Sequence, residues 1–554
     1  MSATASELTP VQVEVIGSAL ESICDEMGEA LVKTSYSPNI KERRDCTTGI
    51  FNAGGELLAQ AEHIPMHLGS LMGIVNAITD RYALEDIRDG DSFVGNDPHI
   101  GGGTHLPDIV LVTPIFVEGA LAGWATNLAH HSDYAERGHE HIFQEGLRIP
   151  PVRFLRDWTY VPEVMDLILT NMQVPAERVA DFNAQVAANR LGVARFREIS
   201  EKYGPATIEA AGQELLDYTE RKVRAGIREV PNGRYRFSDT FDCNELDEQL
   251  QLSVVMTVSD EHLDFEFTAP EQVRASINMV ETALLATVYY AAKTVVGPDI
   301  PANGGLGRAI SVSAPRGSVL NCVAPAAVNG RIQLCQRVVD LVHGALADAV
   351  PSRVIAASNG AVTGTQFSGT DPRTGRYYVY LETIGGGYGA GCAYDGLDGV
   401  QAHMTNTSNL PVEALESEYP LFVERYALID GSGGEGEHRG GMGIHRQVRV
   451  EHDDCQCEVG MSRMLSRPWG LLGGTAGQSA RLEKNGVVVP TGDVVHLSRG
   501  DSISAITAGG GGYGDPANRP KDVVLRDLRE ERIDSSTAER IYGVTNDENS
   551  GGAA

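Results

Sequence analysis

Basic residues are scarce in this 554-residue chain: 45 Lys and Arg stand against 75 Asp and Glu, a formal charge of −30. That deficit excludes the diffuse positive field that holds nucleic acid or an anionic membrane surface, and leaves only local basic pockets. Cysteine is sparse and scattered. The eight, at 24, 46, 243, 322, 335, 392, 455 and 457, include one Cys-x-Cys and no Cys-x-x-Cys. Neither a zinc ribbon nor a dense disulfide framework is indicated, and reduced thiols in a cytoplasm fit best. Long apolar runs are also missing. The longest stretch, residues 277–296, is interrupted by Glu281 and Lys293 and is too short and polar to span a bilayer. The first residues, Met-Ser-Ala-Thr-Ala-Ser-Glu, lack a basic region followed by an apolar one, so no secretory signal is expected. Two catalytic signatures are absent as well. There is no Gly-x-x-x-x-Gly-Lys-Ser/Thr to cradle a nucleotide and no Gly-x-Ser-x-Gly to present a nucleophilic serine.

What remains is a globular composition, 42% hydrophobic and 22% charged, with 62 glycines that point to tight turns and close backbone approaches. The length predicts about three or four folding units. After Thr9-Pro10, the residues Ile16, Leu20, Ile23, Met27 and Leu31 recur at steps of three and four, which predicts an amphipathic helix. Residues 48–58 and 109–124 read as strands and hairpins, 176–229 as one or two long helices, and 233–270 as half-buried antiparallel strands. Residues 277–296 and 332–350 read as helices, and 521–543 as a surface helix or two before a polar tail. Between them lie glycine tracts beginning at Gly385, Gly431 and Gly509. The expected fold class is α+β, multi-subdomain, with mixed and antiparallel sheets, helical layers and glycine-rich loops. The divisions are an N-terminal α/β region at 1–175 carrying the ligand cluster, a helical layer at 176–232, a central α+β region at 233–400, a β-rich glycine-containing region at 401–520 and a C-terminal helix and tail at 521–554.

Eight of the fifteen histidines, at 63, 67, 99, 105, 130, 131, 139 and 141, fall among aspartates and glycines within about eighty residues. Imidazoles and carboxylates converging from separate segments are what a catalytic divalent-metal site is made of. Asp45, His105, Asp108 and His130 form the most economical ligand set. His105 and Asp108 stand three apart across Leu-Pro, a spacing that aims both side chains at one point if the turn is tight. This donor set suits Zn²⁺, Mn²⁺ or Fe²⁺, with an open position for a water molecule. Asp97, His99, His131 and Asp133 read as groups that orient the ligating imidazoles, although Asn96-Asp-Pro reads equally as a plain turn. Pro65 argues against joint ligation by His63 and His67, which leaves them substrate contact or structural hydrogen bonding. His139-Glu-His141 reads as a solvated loop. Any one of these histidines taken alone is also compatible with a structural role, and the alternative for the whole chain is a metal-free, non-catalytic scaffold.

Several long segments carry a resemblance to a known family. They include Thr34-Ser-Tyr-Ser-Pro-Asn-Ile-Lys-Glu-Arg-Arg-Asp45, Asn96-Asp-Pro-His-Ile-Gly-Gly-Gly-Thr-His-Leu-Pro-Asp108, Ala129-His-His-Ser-Asp133, Gln144-Glu-Gly-Leu-Arg-Ile-Pro-Pro151, Arg439-Gly-Gly-Met-Gly443 and Ala508-Gly-Gly-Gly-Gly-Tyr-Gly-Asp-Pro516. In this order they resemble the hydantoinase B/oxoprolinase family, the B-type subunits of ATP-dependent hydantoinases, lactamases and oxoprolinases, related to acetone and acetophenone carboxylases. The resemblance implies that an A-type partner binds ATP and phosphorylates the carbonyl of a small cyclic amide, such as a hydantoin, 5-oxoproline or a lactam. The B-type chain then hydrolyses the activated intermediate at a metal centre. Position by position, Asp45, His105, Asp108 and His130 match the family's presumed ligands and Asp133 its nearby acid, with His131 beside it as the second catalytic candidate. A cytoplasmic α2β2 assembly is implied, with ATP on the partner and none on this chain. The alternative is a subunit of an ATP-dependent ketone carboxylase. The absence of a long C-terminal extension favours hydrolysis over that alternative, and the residues 135–139 depart from the Gly-Gly-rich form of many members.

Overall fold

The computed structural model describes residues 8–61, 64–131, 140–489 and 494–545. Its first helix, α1 (Pro10–Thr34), begins at Thr9, whose hydroxyl accepts the Gln12 N–H while the Gln12 side chain accepts the Thr9 N–H. This reciprocal cap satisfies two of the donors that a helix start leaves open. Ile16, Leu20, Ile23, Met27 and Leu31 are buried along one face, as their spacing predicts.

The chain divides into two units. One comprises Met1–Gly233, Thr257–Glu266 and Glu271–Arg331, and the other Arg234–Met256, Phe267–Pro270 and Ile332–Ala554. The first is built on a seven-stranded antiparallel sheet of β1 (Cys46–Asn52), β2 (Leu57–Gln60), β3 (Ser92–Gly95), β4 (Asp108–Val117), β5 (Ala120–His130), β6 (Val152–Arg156) and β7 (Thr159–Tyr160). Their order is β2-β1-β5-β4-β3-β6-β7. The two central strands are buried on both faces. Ala125 and Ala129 of β5 pack with α1 and the helix Pro175–Tyr203, whereas Trp124 and Leu128 join Val110, Val112, Ile74 and Ile78 on the other side. This period-two alternation decides which face each site residue occupies. The same unit contains a parallel pairing of Leu263–Glu266 with Ile310–Ser313, so the sheets are mixed as well as antiparallel.

The second unit holds two antiparallel sheets. Thr363–Asp371, Arg376–Ile384, Cys455–Gly460 and Val494–Leu497 form one; Leu421–Leu428, Ile444–Val450, Ser502–Ile506, Arg481–Lys484 and Val487–Val488 form the other. Phe367, Tyr380, Cys457, Val448, Leu482 and Ile503 meet in one shared core. The glycine tracts are not loops in the usual sense. They run side by side and exchange backbone hydrogen bonds: Gly441 N–H to Tyr388 O at 2.9 Å, Gly510 N–H to Gly441 O at 2.8 Å and Gly434 N–H to Gly510 O at 2.8 Å. A Cβ at Gly389 or Gly510 would overlap the carbonyl oxygens of Ala356 or Tyr388, so this packing of backbone on backbone requires glycine. The helix Ile332–Leu346 is buried on all sides. It contributes Asp340, which accepts from Arg463 Nη2 at 2.7 Å and lies 3.3 Å from His403 Nε2. The fold is α+β. All eight cysteines are free, and among the described residues no helix is long and apolar enough to cross a membrane.

Candidate metal centre

Strand register builds most of the site. Asp108 opens β4 and is the partner of His130, which ends β5. On the far side of β5, Cys46 pairs with Ala129, so Asp45 stands next in line and its carbonyl accepts the His130 N–H at 3.0 Å. Asp45, His130 and Asp108 therefore form one row across three neighbouring strands at one edge of the sheet. His105 joins from the turn ahead of β4. That turn closes tightly, with Asp108 N–H donating to His105 O at 3.2 Å, and brings His105 Nε2 to 3.1 Å from Asp108 Oδ1. Gly103 makes the turn possible at φ 71°, in the left-handed region, where a Cβ would also press against the Asp108 Cβ.

One ligand atom from each of His105, Asp108 and His130 lies within 4.8 Å of the other two. The His105 and His130 rings are 4.9 Å apart. Asp45 is not one of the three, but it borders them: its Oδ1 lies 3.7 Å from Nε2 of His67, a buried residue at the start of the short helix His67–Ser70. Burial holds the His67 imidazole below its ordinary value. Burial also pushes His130 down to about 3, against the pull of the Asp45 carboxylate, so the ring is neutral. Asp108 behaves in the opposite way. Burial acts to raise its carboxyl, but His105 and the Arg331 guanidinium outweigh that effect and hold it below the usual carboxylate range. Two imidazoles around a buried, ionised carboxylate fit a divalent cation of the Zn²⁺, Mn²⁺ or Fe²⁺ kind, because each is a borderline or hard donor.

The residues around the cluster set its shape. Asn39 Nδ2 lies 2.8 Å from His130 Nδ1 and donates to the His130 carbonyl at 2.7 Å. Asn329 presents its carbonyl oxygen at 3.2 Å and its Oδ1 at 3.1 Å to His105 Nδ1. Arg331 donates from Nε and Nη2 to Thr104 Oγ1 at 3.0 and 2.7 Å, and from Nη2 to Asp108 Oδ2 at 3.2 Å. Glu145 fixes the segment that carries Asn329 and Arg331 by accepting the Val328 and Asn329 N–H groups at 2.8 and 2.6 Å. These contacts hold both rings in one orientation beside Asp108.

The remaining sequence candidates go elsewhere. His131 follows His130 and so points to the opposite face of the sheet, where its Nε2 meets Gln185 Oε1 at 3.1 Å and its ring packs on Phe182. It is not brought to the cluster. Asp97 pairs with Arg148, 2.6 Å from Nη2, and accepts the His99 N–H at 3.1 Å; His99 Nε2 lies 3.2 Å from the Ala326 carbonyl. The turn reading of Asn96-Asp-Pro therefore describes Asp97 better than a place at the ligands. Asp133, His63 and His139 lie outside the described residues. Arg331 and Asn329 carry no sequence signal of their own, because they come from a segment more than two hundred residues from their contacts, whereas Asn39 and Glu145 lie within segments that carry the family resemblance.

The family model of hydantoinase B/oxoprolinase matches residues 9–516. The B-type component of a putative D-/L-hydantoinase from Pseudomonas sp. strain NS671 is 32% identical over 573 residues, covering 97% of this chain and 95% of its own. The crystal structure of the ATP-dependent caprolactamase from Pseudomonas jessenii superimposes with a TM-score of 0.89 at 28% identity, covering 98% of each chain. A nucleotide-free acetone carboxylase superimposes with a TM-score of 0.89 at 19% identity, over 97% of this chain and 80% of the other, and shares the fold. The sequence resemblance, the full-length family match and the common architecture agree: the chain belongs to the hydantoinase B/oxoprolinase family.

Proposed function

We propose that this chain is the metal-dependent subunit of an ATP-dependent cyclic amidohydrolase. It opens a hydantoin, 5-oxoproline or lactam ring after an A-type partner has phosphorylated the carbonyl oxygen with its own ATP. The observation that carries this reading is the convergence of buried His105 and Asp108 with half-buried His130, Asp108 and His130 being in strand register, in a chain of this family. These three residues would hold the ion, with Asp45 beside His130 as the fourth group. A divalent ion held there supplies Lewis acidity and lowers the pKa of water towards neutrality.

The rest is the work of the chain's own side chains. An unstrained cyclic amide resists water because resonance protects its carbonyl, and phosphorylation of the oxygen leaves the ring carbon open to attack. Asp108 contributes a fixed negative charge whose second oxygen is occupied by Arg331 and Thr104, so Oδ1 alone faces His105. Asn39 and Asn329 keep the two imidazoles in place without reorganisation. Asp133 is the acid we assign to the proton that the ring nitrogen takes up as its bond to carbon breaks.

The test combines the purified chain, its A-type partner, ATP and a panel of cyclic amides. Ring-opened product formed only when both subunits and ATP are present is the expected result. Turnover by either subunit alone would overturn the shared mechanism, and labelled bicarbonate appearing in the product would replace hydrolysis with the carboxylase reading.

A further inference from the structure

We propose that Arg331 is the phosphoryl-binding residue of this site. The inference rests on the function proposed above, since only a carbonyl-phosphorylated substrate brings a phosphoryl group here. Its evidence is the disposition of one guanidinium. The Arg331 side chain is 6% exposed, and a buried arginine is normally paired on every side. Here Nε and Nη2 are spent on Thr104 and Asp108, whereas Nη1 has no hydrogen-bond partner among the described residues. Nη1 is also absent from the sealed polar atoms of the interior, so it reaches accessible space. A rigid cation is thus fixed beside Asp108 Oδ2 with one edge left open.

Charge and shape make that edge suited to a phosphoryl oxygen. The planar guanidinium matches phosphate geometry, and its remaining donors are already oriented by Thr104, so little freedom is lost on binding. Near the cluster the carboxylates of Asp45 and Asp108 are matched by the guanidiniums of Arg43 and Arg331, all of them felt by His130, Asp108 or His67. Among these four described groups the charges balance, although the whole chain is strongly acidic. Arg331 also touches a ligand carboxylate directly. A phosphoryl group on its open edge places the activated carbon next to His105, Asp108 and His130.

The experiment uses the full chain with the metal it carries and inorganic phosphate as the probe, read by calorimetric titration, with elemental analysis of every sample. Wild type is expected to bind phosphate saturably. Arg331→Gln is expected to weaken that binding by about tenfold to a hundredfold, the value of a charge-assisted hydrogen bond, when compared at a metal concentration that keeps both proteins fully loaded. Arg331→Lys should recover part of the loss, because it restores charge without the fork. Thr104→Val, which keeps the cation but frees its orientation, should show an intermediate loss and serves if Arg331→Gln does not fold. Wild type that fails to bind phosphate, or variants that bind it as well as wild type, would overturn the assignment. Neither result depends on which amide is hydrolysed or on the partner, so failure here is distinguishable from failure of the proposed function.

Discussion

Asp108 and His130 occupy opposite positions of one rung of the β4–β5 ladder, and the side chains on that rung lie on the same face of the sheet. Their proximity is thus a property of backbone register rather than of loop conformation. A site anchored on strands holds its geometry better than one carried by loops alone.

Replacing either partner separates ligation from folding. Asp108→Asn keeps the shape of the side chain and its contacts to Thr104 but removes the charge that Arg331 and His105 face. The expected result is a folded chain that has lost most of its divalent metal, measured by elemental analysis. Asp108→Ala should in addition destabilise the fold by about 3–5 kcal/mol, because it leaves the Arg331 guanidinium buried beside no counter-charge. Full metal content in both variants would remove Asp108 from the ligand set.

Glu145 acts at one remove. It accepts two backbone N–H groups of the segment that carries Asn329 to His105 and Arg331 to Asp108. Glu145→Gln weakens that anchorage and is expected to lower metal affinity about 10- to 100-fold, as is usual for groups that orient ligands, with a loss of about 1–3 kcal/mol in thermal unfolding. A stability loss without any change in a metal titration would show that Glu145 serves the fold alone.

Much of this is legible in the chain alone. The steps of three and four from Ile16 to Leu31 predict α1, and the short apolar runs split by glycine predict the β1–β2 and β4–β5 hairpins. The i, i+3 spacing of His105 and Asp108 anticipates their convergence. His131 shows where clustering misleads. Clustering counts histidines, whereas a strand sends neighbours to opposite faces, so alternation across Ala129-His130-His131 directs His131 to Gln185 and Phe182. Arg331 and Asn329 are out of reach for a different reason: more than two hundred residues separate them from their contacts, and no local pattern encodes such a pairing. The glycine tracts announce close approach, but the mutual hydrogen bonding of the tracts is a tertiary fact.

Acid sensitivity in the second unit follows from His343. Burial, reinforced by the nearby His403 and opposed by Asp340, pushes its imidazole down to about 3, and its ring lies 5.8 Å from that of His403. The group is neutral when folded but titrates near 6.5 when unfolded. Because its folded pKa is depressed, its contribution to stability is complete above pH 6.5 and declines as pH falls towards the folded value. The size is about 2 kcal/mol between pH 7.5 and pH 5. Asp340 is also lowered: burial would raise it, but the His403 hydrogen bond and the Arg463 charge prevail, so its loss belongs to a separate window below the ordinary aspartate range. Thermal unfolding from pH 7.5 to pH 5 should show the decline, and His343→Gln should flatten it. An unchanged slope in the variant would assign the acid sensitivity to other groups.

The glycine tracts yield the sharpest contrast in stability. Gly389 lies against the Ala356 carbonyl oxygen and Gly510 against that of Tyr388, which accepts the Gly441 N–H; both are main-chain atoms, unable to rotate away as a side chain can. A methyl group at either position must push two backbone segments apart and break the amide bonds between them. Gly389→Ala and Gly510→Ala are therefore each expected to cost more than about 3 kcal/mol, the upper range for overpacking, and to lower the unfolding temperature of the chain by several degrees. Gly364 supplies the control. It lies in the strand Thr363–Asp371, and the nearest atom to an added Cβ is the Glu382 carbonyl oxygen at 3.9 Å, an ordinary contact. Gly364→Ala should stay within about 1 kcal/mol of wild type, since it adds a side chain to space that is already free and reduces the freedom of the unfolded chain. Equal effects at all three positions would mean that the tracts tolerate separation, and that their glycines are not required by the backbone packing.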